Sequence, residues 1–253
     1  MYSKQVKAVI VIALFLSCWQ IISHLKIYSV YLLPSPLAVF NCFVEGIADG
    51  SLITHISISI QRVFSGYFIA FVIAIMFSIV SLNYPKIMEY FDSIIQFMRN
   101  VPPLSLVPLL ILWFGIGEKS KLIIIILASF FPMYLNIDKG FKSTDIKLIE
   151  VGKSFGYSKS EIFFRIILPA AIPDILVGMR IGMGYSYRAI IGAEMIASSS
   201  GLGYMINFAK SLSHTDAVIV GIITIGILGS LCDYIFKIFI NRLLKDTKGN
   251  GWN

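Results

Sequence analysis

The chain has 253 residues, 57% of them hydrophobic and only 14% charged, with a formal net charge of +7 and a mean hydropathy of +0.82. This balance excludes an ordinary soluble domain, and the basic excess reads as the cytoplasmic bias of membrane-protein loops rather than a nucleic-acid footprint. Cys18, Cys42 and Cys232 are scattered, which supports neither a disulfide framework nor a zinc site.

A short basic start, Met1 to Lys7, precedes a first apolar block from Ala8 to about Leu25. The block is long, contains Trp19 and Gln20 and has no small-residue cleavage site after it, so it reads as a retained span rather than a signal peptide. From Lys26 to Gly50 runs a connection in which Pro34 and Pro36 impose extended backbone ahead of a short amphipathic helix. A second span is expected from about Ile56 to Leu82, with Gln61 and Arg62 near its start, and Asn83-Tyr84-Pro85-Lys86 makes a turn. The third block is amphipathic from Ile87 to Met98. Arg99-Asn100-Val101-Pro102-Pro103 interrupts it, and Leu104 to Phe114 resumes the apolar run with Pro108 inside. Prolines at membrane depth free backbone carbonyls, which is tolerated only against protein or a water-filled cavity, so this break should face the bundle interior. Gly115 to Lys121 is a turn, and Leu122 to about Ile137 is the fourth span.

A polar island follows, from about 138 to 173. Ile146, Ile149 and Phe155 recur at roughly helical spacing, and Gly156 offers a positive-φ stop. Ser158 and Glu161 have capping-box spacing for a second helix, which Pro169 and Pro173 are expected to punctuate. Ile175 to about Ala197 forms the fifth span, Ser198 to Asp216 a polar connection, and Ala217 to about Ile240 the sixth. Asn241 to Asn253 is a polar tail. The basic residues of the N-terminus, Lys86, the island and the tail fall on one side, which places both termini and the island in the cytoplasm.

Within the island, Glu150-Val151-Gly152, three residues, Gly156, nine residues and Ile166-Ile167-Leu168-Pro169 resemble the EAA loop of ABC importer permeases of the type I, binding-protein-dependent class. Val151 and Gly152 stand where that loop has alanines. LLPSP at Leu32–Pro36, the run Met98–Glu118, FFPMYLN at Phe130–Asn136 and AEMIASSSGLGY at Ala193–Tyr204 extend the resemblance over nearly the whole chain, toward the sulfonate, taurine and nitrate branch. The resemblance implies an all-α membrane protein of six transmembrane helices, a single permease domain over 1–253, in a bacterial cytoplasmic membrane. It implies a coupling helix, with Glu150, Gly152, Gly156, Tyr157, Ser158, Leu168 and Pro169 as docking residues. The implied partners are two copies of an ABC ATPase that holds ATP and Mg, a second permease copy, and an extracytoplasmic substrate-binding protein, all in membrane lipid. The implied cargo is an aliphatic sulfonate or taurine first, with nitrate, bicarbonate or a thiamine or riboflavin precursor as alternatives.

Polar residues inside spans are costly and often functional. Arg99, Asn100, Pro103, Tyr185, Arg188 and Glu194 are the candidates for the pathway. Arg188 suits an oxyanion, or it pairs with Glu194 or with a carboxylate of a second copy. Arg99 either lines the pathway or snorkels to headgroups. Ser200-Gly201-Leu202-Gly203-Tyr204 lacks the Lys and Ser/Thr of a nucleotide loop and reads as a reentrant turn near the outer mouth. The chain contains no GxxxxGK[ST], so it binds no cofactor of its own by this reading, and any ATPase is another polypeptide. His24, His55 and His214 have no carboxylate or Cys at ligand spacing, which argues against a metal site and against a membrane enzyme with catalytic residues. A secondary carrier would need inverted repeats, and no convincing duplication is present.

Overall fold

The computed structural model describes residues 2–249. Helix α1 (Tyr2–His24) is followed by a turn that its Trp19 Nε1 ties down by donating to the Pro34 carbonyl at 3.0 Å. Ser35 then caps α2 (Pro36–Ala48), with Pro36 in the first turn, where its missing N–H is of no consequence. Helix α3 (Ser51–Asn83) contains the second expected span.

The interrupted third block becomes α4 (Pro85–Asn100), one 3-10 turn (Pro103–Leu106) and α5 (Val107–Phe114), with an 88° bend between the two arms. Pro102 and Pro103 cause it: extended backbone is forced before each ring, and neither nitrogen can donate. Helix α6 (Glu118–Lys142) is the fourth span.

The island folds as α7 (Ile146–Ser154) and α8 (Lys159–Ile162), then a π-turn over Phe163–Ile167 and helix α9 (Leu168–Ala197). Pro169 and Pro173 do not end a helix as expected. Helix continues from Lys159 to Ala197 because Pro169 falls in the first turn after the π-turn, where the wider register already relaxes the i−4 bond that proline cannot make. A second correction concerns 198–216, expected to be a polar connection. It contains α10 (Leu202–Ser211), whose apolar Leu202, Ile206 and Ala209 are buried. Helix α11 (Thr215–Gly249) closes the chain; the polar tail beyond Gly249 lies outside the described residues.

Among the described residues, four helices are long and apolar enough to cross a membrane, or five if the bent α4–α5 pair is one span. Six were expected. The sixth expected span is α1 (Tyr2–His24), of which Val9–His24 counts among the shorter apolar helices of the described residues.

Helix α6 occupies the centre, packed between α3 and α9. Its Ile124, Ile125, Met133 and Ile137 are essentially inaccessible. With lipid on the outside there is little hydrophobic drive between spans, so close packing of small residues does the work. At Gly178 a Cβ would come within 2.9 Å of the Asn136 Cβ, which is how α9 approaches α6. The outer faces of α1 and α11 instead expose Val11, Phe15, Ile222 and Ile235, as lipid contact requires.

Candidate functional site

At one end of the bundle α7 is held by a C-terminal lock. Gly156 takes φ +80° and its N–H donates to the Lys153 carbonyl at 2.9 Å, while the Tyr157 N–H donates to the Gly152 carbonyl at 3.0 Å. These two bonds are the Schellman pattern, and the left-handed residue at its pivot needs glycine. Ser158 then caps α8. Its Oγ accepts from the Glu161 N–H, and its own N–H donates back to Glu161 Oε2 at 2.9 Å, completing the expected capping box. The Arg165 guanidinium lies 5.2 Å above the Tyr157 ring.

This lock gives α7 two faces. Gly152 is buried, and a Cβ there would meet Ile166 Cδ1 at 2.6 Å. Ile149 packs on the same inner side. The other side presents Ile146, Leu148, Val151 and Phe155, with Ile146 70% and Phe155 74% exposed. The helical spacing foreseen for Ile146, Ile149 and Phe155 therefore divides between the two faces. Glu150 is exposed on this helix, Leu168 is half-buried, and Pro169 is exposed at the start of α9.

Between the bend and the central helices lies a cavity of about 330 Å³. It brings Arg99, Pro103 and Tyr185 together with Pro132, Asn136 and Ile181. Pro132 sits inside α6 and cannot donate to the carbonyl of Ala128, which also lines this space. Asn100 is not part of the lining: its amide turns back to the Gln96 carbonyl of its own helix at 2.9 Å. Arg188 faces a different cavity, of about 190 Å³, between α9 and α11, beside the Arg180–Asp233 pair.

The opposite end of the bundle is clamped by charge. The Glu194 carboxylate, 1% exposed, is within 2.8 and 2.9 Å of the Ser59 hydroxyl, and accepts from Arg62 Nη1 at 2.8 Å and the Gly203 N–H at 3.0 Å. Arg62 also donates Nε and Nη2 to Glu118, at 2.7 and 2.6 Å, and Nη1 to the Ser200 carbonyl. Lys121 reaches the same Glu118 at 2.9 Å. Ser59 accepts from the Leu202 N–H, and His55 Nδ1 accepts from the Gly201 N–H. Gly201 has φ +103°, and a side chain there would collide with the Glu194 carboxylate. Four helices and the 198–201 loop thus meet on two carboxylates and one guanidinium.

The expected Arg188–Glu194 pair does not form. Arg188 is exposed on α9, whereas Glu194 turns inward to Arg62. Sequence reading noted Arg62 only for its place near the start of a span. The signal available was that a guanidinium at a span end calls for a carboxylate, but Glu194 lies 132 positions away, a separation no spacing rule covers.

The chain matches the family described as binding-protein-dependent transport system inner membrane component over residues 66–245. It belongs to that family, the permease subunits of ABC importers. It is 36% identical over 94% of its length to the putative aliphatic sulfonates transport permease protein SsuC of Bacillus subtilis, covering 87% of that relative. It is 34% identical over 92% of its length to the taurine transport system permease protein TauC of Escherichia coli, covering 86%. To the nitrate import permease protein NrtB of Synechocystis it is 31% identical over 95%, covering 90%. Among solved structures, the inward-facing MetNI methionine ABC transporter superposes with a TM-score of 0.65 at 15% identity, covering 76% of this chain and 95% of that one. The last comparison shows the fold, that of an ABC importer permease.

Proposed function

We propose that this permease forms the membrane pathway for a small anionic organic solute, an aliphatic sulfonate or taurine, driven by a separate ATPase. The observation that carries the pathway reading is the 330 Å³ cavity at the α4–α5 break, which Arg99 and Tyr185 line together with a proline-interrupted stretch of α6. A guanidinium offers a planar fork of donors to sulfonate oxygens, and Tyr185 and Asn136 add neutral partners. The sulfonate and taurine permeases among the relatives support that solute class; the nitrate relative supports an inorganic anion as the second reading.

The coupling reading rests on α7. Its exposed Ile146, Leu148, Val151 and Phe155 form an apolar face outside the bundle, suited to a groove on an ATPase that binds ATP and Mg. Since one chain of this size leaves its cavities open on one side, a second copy completes the pathway, and an external binding protein delivers solute. The island and both termini lie in the cytoplasm by the distribution of basic residues. ATP-driven closure of the ATPase pair then moves α7, and the long helix from Lys159 to Ala197 carries that displacement across the membrane.

The test is ATP hydrolysis by the permease reconstituted with its ATPase and binding protein, across aliphatic sulfonates, taurine, nitrate and vitamin precursors. Stimulation by sulfonates or taurine is expected, and stimulation by nitrate alone would replace the solute class. Glu150→Lys should separate hydrolysis from transport without preventing membrane insertion; normal transport by this variant would remove α7 as the coupling element.

A further inference from the structure

Three basic residues of the 138–173 loop are paired: Lys142 with Asp138, Lys139 with Asp174, and Arg165 with Glu161. Lys147, Lys153 and Lys159 form no ion pair among the described residues, and of these Lys153 and Lys159 line one cleft of about 490 Å³. Its wall is apolar: Ile79 and Leu82 from the last turns of α3, Ile149 from the inner side of α7, and Phe163, Phe164 and Ile167 from the π-turn. Phe164 is 62% exposed into it.

The position of this cleft says what it meets. Helix α3 is long and apolar enough to cross the membrane and stops at Asn83, so Ile79 and Leu82 are the last apolar residues at one end of a span. An apolar wall at that depth, topped by two uncompensated ammonium groups and the Ser160 hydroxyl, matches an amphiphile with an anionic head. A soluble phosphate would leave the wall without a partner, and a neutral lipid would leave the lysines without one. The face proposed for the ATPase is the other side of α7, at Leu148, Val151 and Phe155, so both can be occupied together.

We infer that this cleft is a binding site for an anionic phospholipid. Its phosphate sits between Lys153, Lys159 and Ser160, and its first acyl carbons lie on Leu82, Phe163 and Phe164. The lipid bridges the end of α3 to α7 and the π-turn, and so braces the coupling loop against the span it moves with. Near a membrane surface each lysine contributes about 1 kcal/mol to anionic-lipid attraction, so removing two lowers retention about 30-fold.

The experiment uses the full permease–ATPase complex, purified from vesicles of phosphatidylcholine with and without phosphatidylglycerol, and counts retained lipid by native mass spectrometry. Wild type should keep phosphatidylglycerol in preference to phosphatidylcholine. Lys153→Gln/Lys159→Gln should lose that preference with the complex still assembled, and Lys153→Arg/Lys159→Arg should restore it. Lys119→Gln, at the other end of the bundle, should retain phosphatidylglycerol as wild type does. Unchanged retention in the glutamine variant overturns the site. So does loss of the ATPase with lipid retention unchanged, since the two lysines would then belong to the ATPase interface.

Discussion

At one end of the α3–α6–α9 bundle, Arg62 and Glu194 are 6% and 1% exposed and every donor of the guanidinium has an acceptor. At the other, Ile146 and Phe155 of α7 are 70% and 74% exposed and touch little of their own chain. Arg62 and Leu82 are separated by about 30 Å of one helix, at 1.5 Å per residue. The clamped end is complete within one chain and is stabilised by satisfied charge. The coupling end is incomplete, with a locked backbone that displays an apolar surface. Both ends place glycines where a side chain would interfere, Gly201 beneath the Glu194 carboxylate and Gly152 beneath Ile166. The lesson is that this permease buries and pairs its charges where its own helices meet, and leaves a locked but uncovered apolar face on α7, where we propose that the ATPase docks.

This contrast can be broken first at the clamp. Glu194→Ala leaves the Arg62 guanidinium buried with half its partners, and breaking a buried pair costs about 3–5 kcal/mol. The purified variant should show a large drop in thermal midpoint in detergent, and an unchanged midpoint would mean that the pair holds nothing together. Next is Gly152→Val, which drives methyl groups into Ile166 and should cost about 1–3 kcal/mol by overpacking. The expected readout is membrane insertion intact but ATPase co-purification reduced; full co-purification would show that α7 can shift without consequence. A smaller effect is expected for Ser158→Ala. Loss of the reciprocal cap costs about 1 kcal/mol, detectable as faster amide exchange in α8 while α9 is unaffected. Phe155→Ala sharpens the comparison from the other side. An exposed side chain with few contacts should change stability by less than about 0.5 kcal/mol, yet weaken ATPase binding measurably in a pull-down. A stability loss equal to that of Gly152→Val would mean that Phe155 belongs to the core.

Local chemistry was legible where it is written in adjacent residues. The Gly156 stop, the Ser158–Glu161 box, the proline break at 102–103 and the apolar runs of α3, α6 and α11 depend on backbone geometry and hydropathy within a few positions, so spacing alone finds them. Pro169 misled because the same residue ends a helix in its interior and is tolerated in a first turn, whereas Pro173 lies inside α9, which runs on through it. Which applies at Pro169 depends on the π-turn before it, and nothing in the spacing announces a π-turn.

The sequence by itself determined that the chain is a membrane protein, that its third apolar block breaks at Pro102–Pro103, and that the loop at 146–161 is built on a glycine stop and a capping box. Tertiary structure alone decided the partners of charges. Arg62 finds Glu194 and Glu118, not the nearer-looking Arg188–Glu194 match, because α3, α6 and α9 bring those side chains to one end of the bundle. Arg188 is left beside α11, and Arg99 lines the same cavity as Tyr185. Electrostatic energy depends on distance in space, and distances between residues more than a hundred positions apart exist only once the helices have packed.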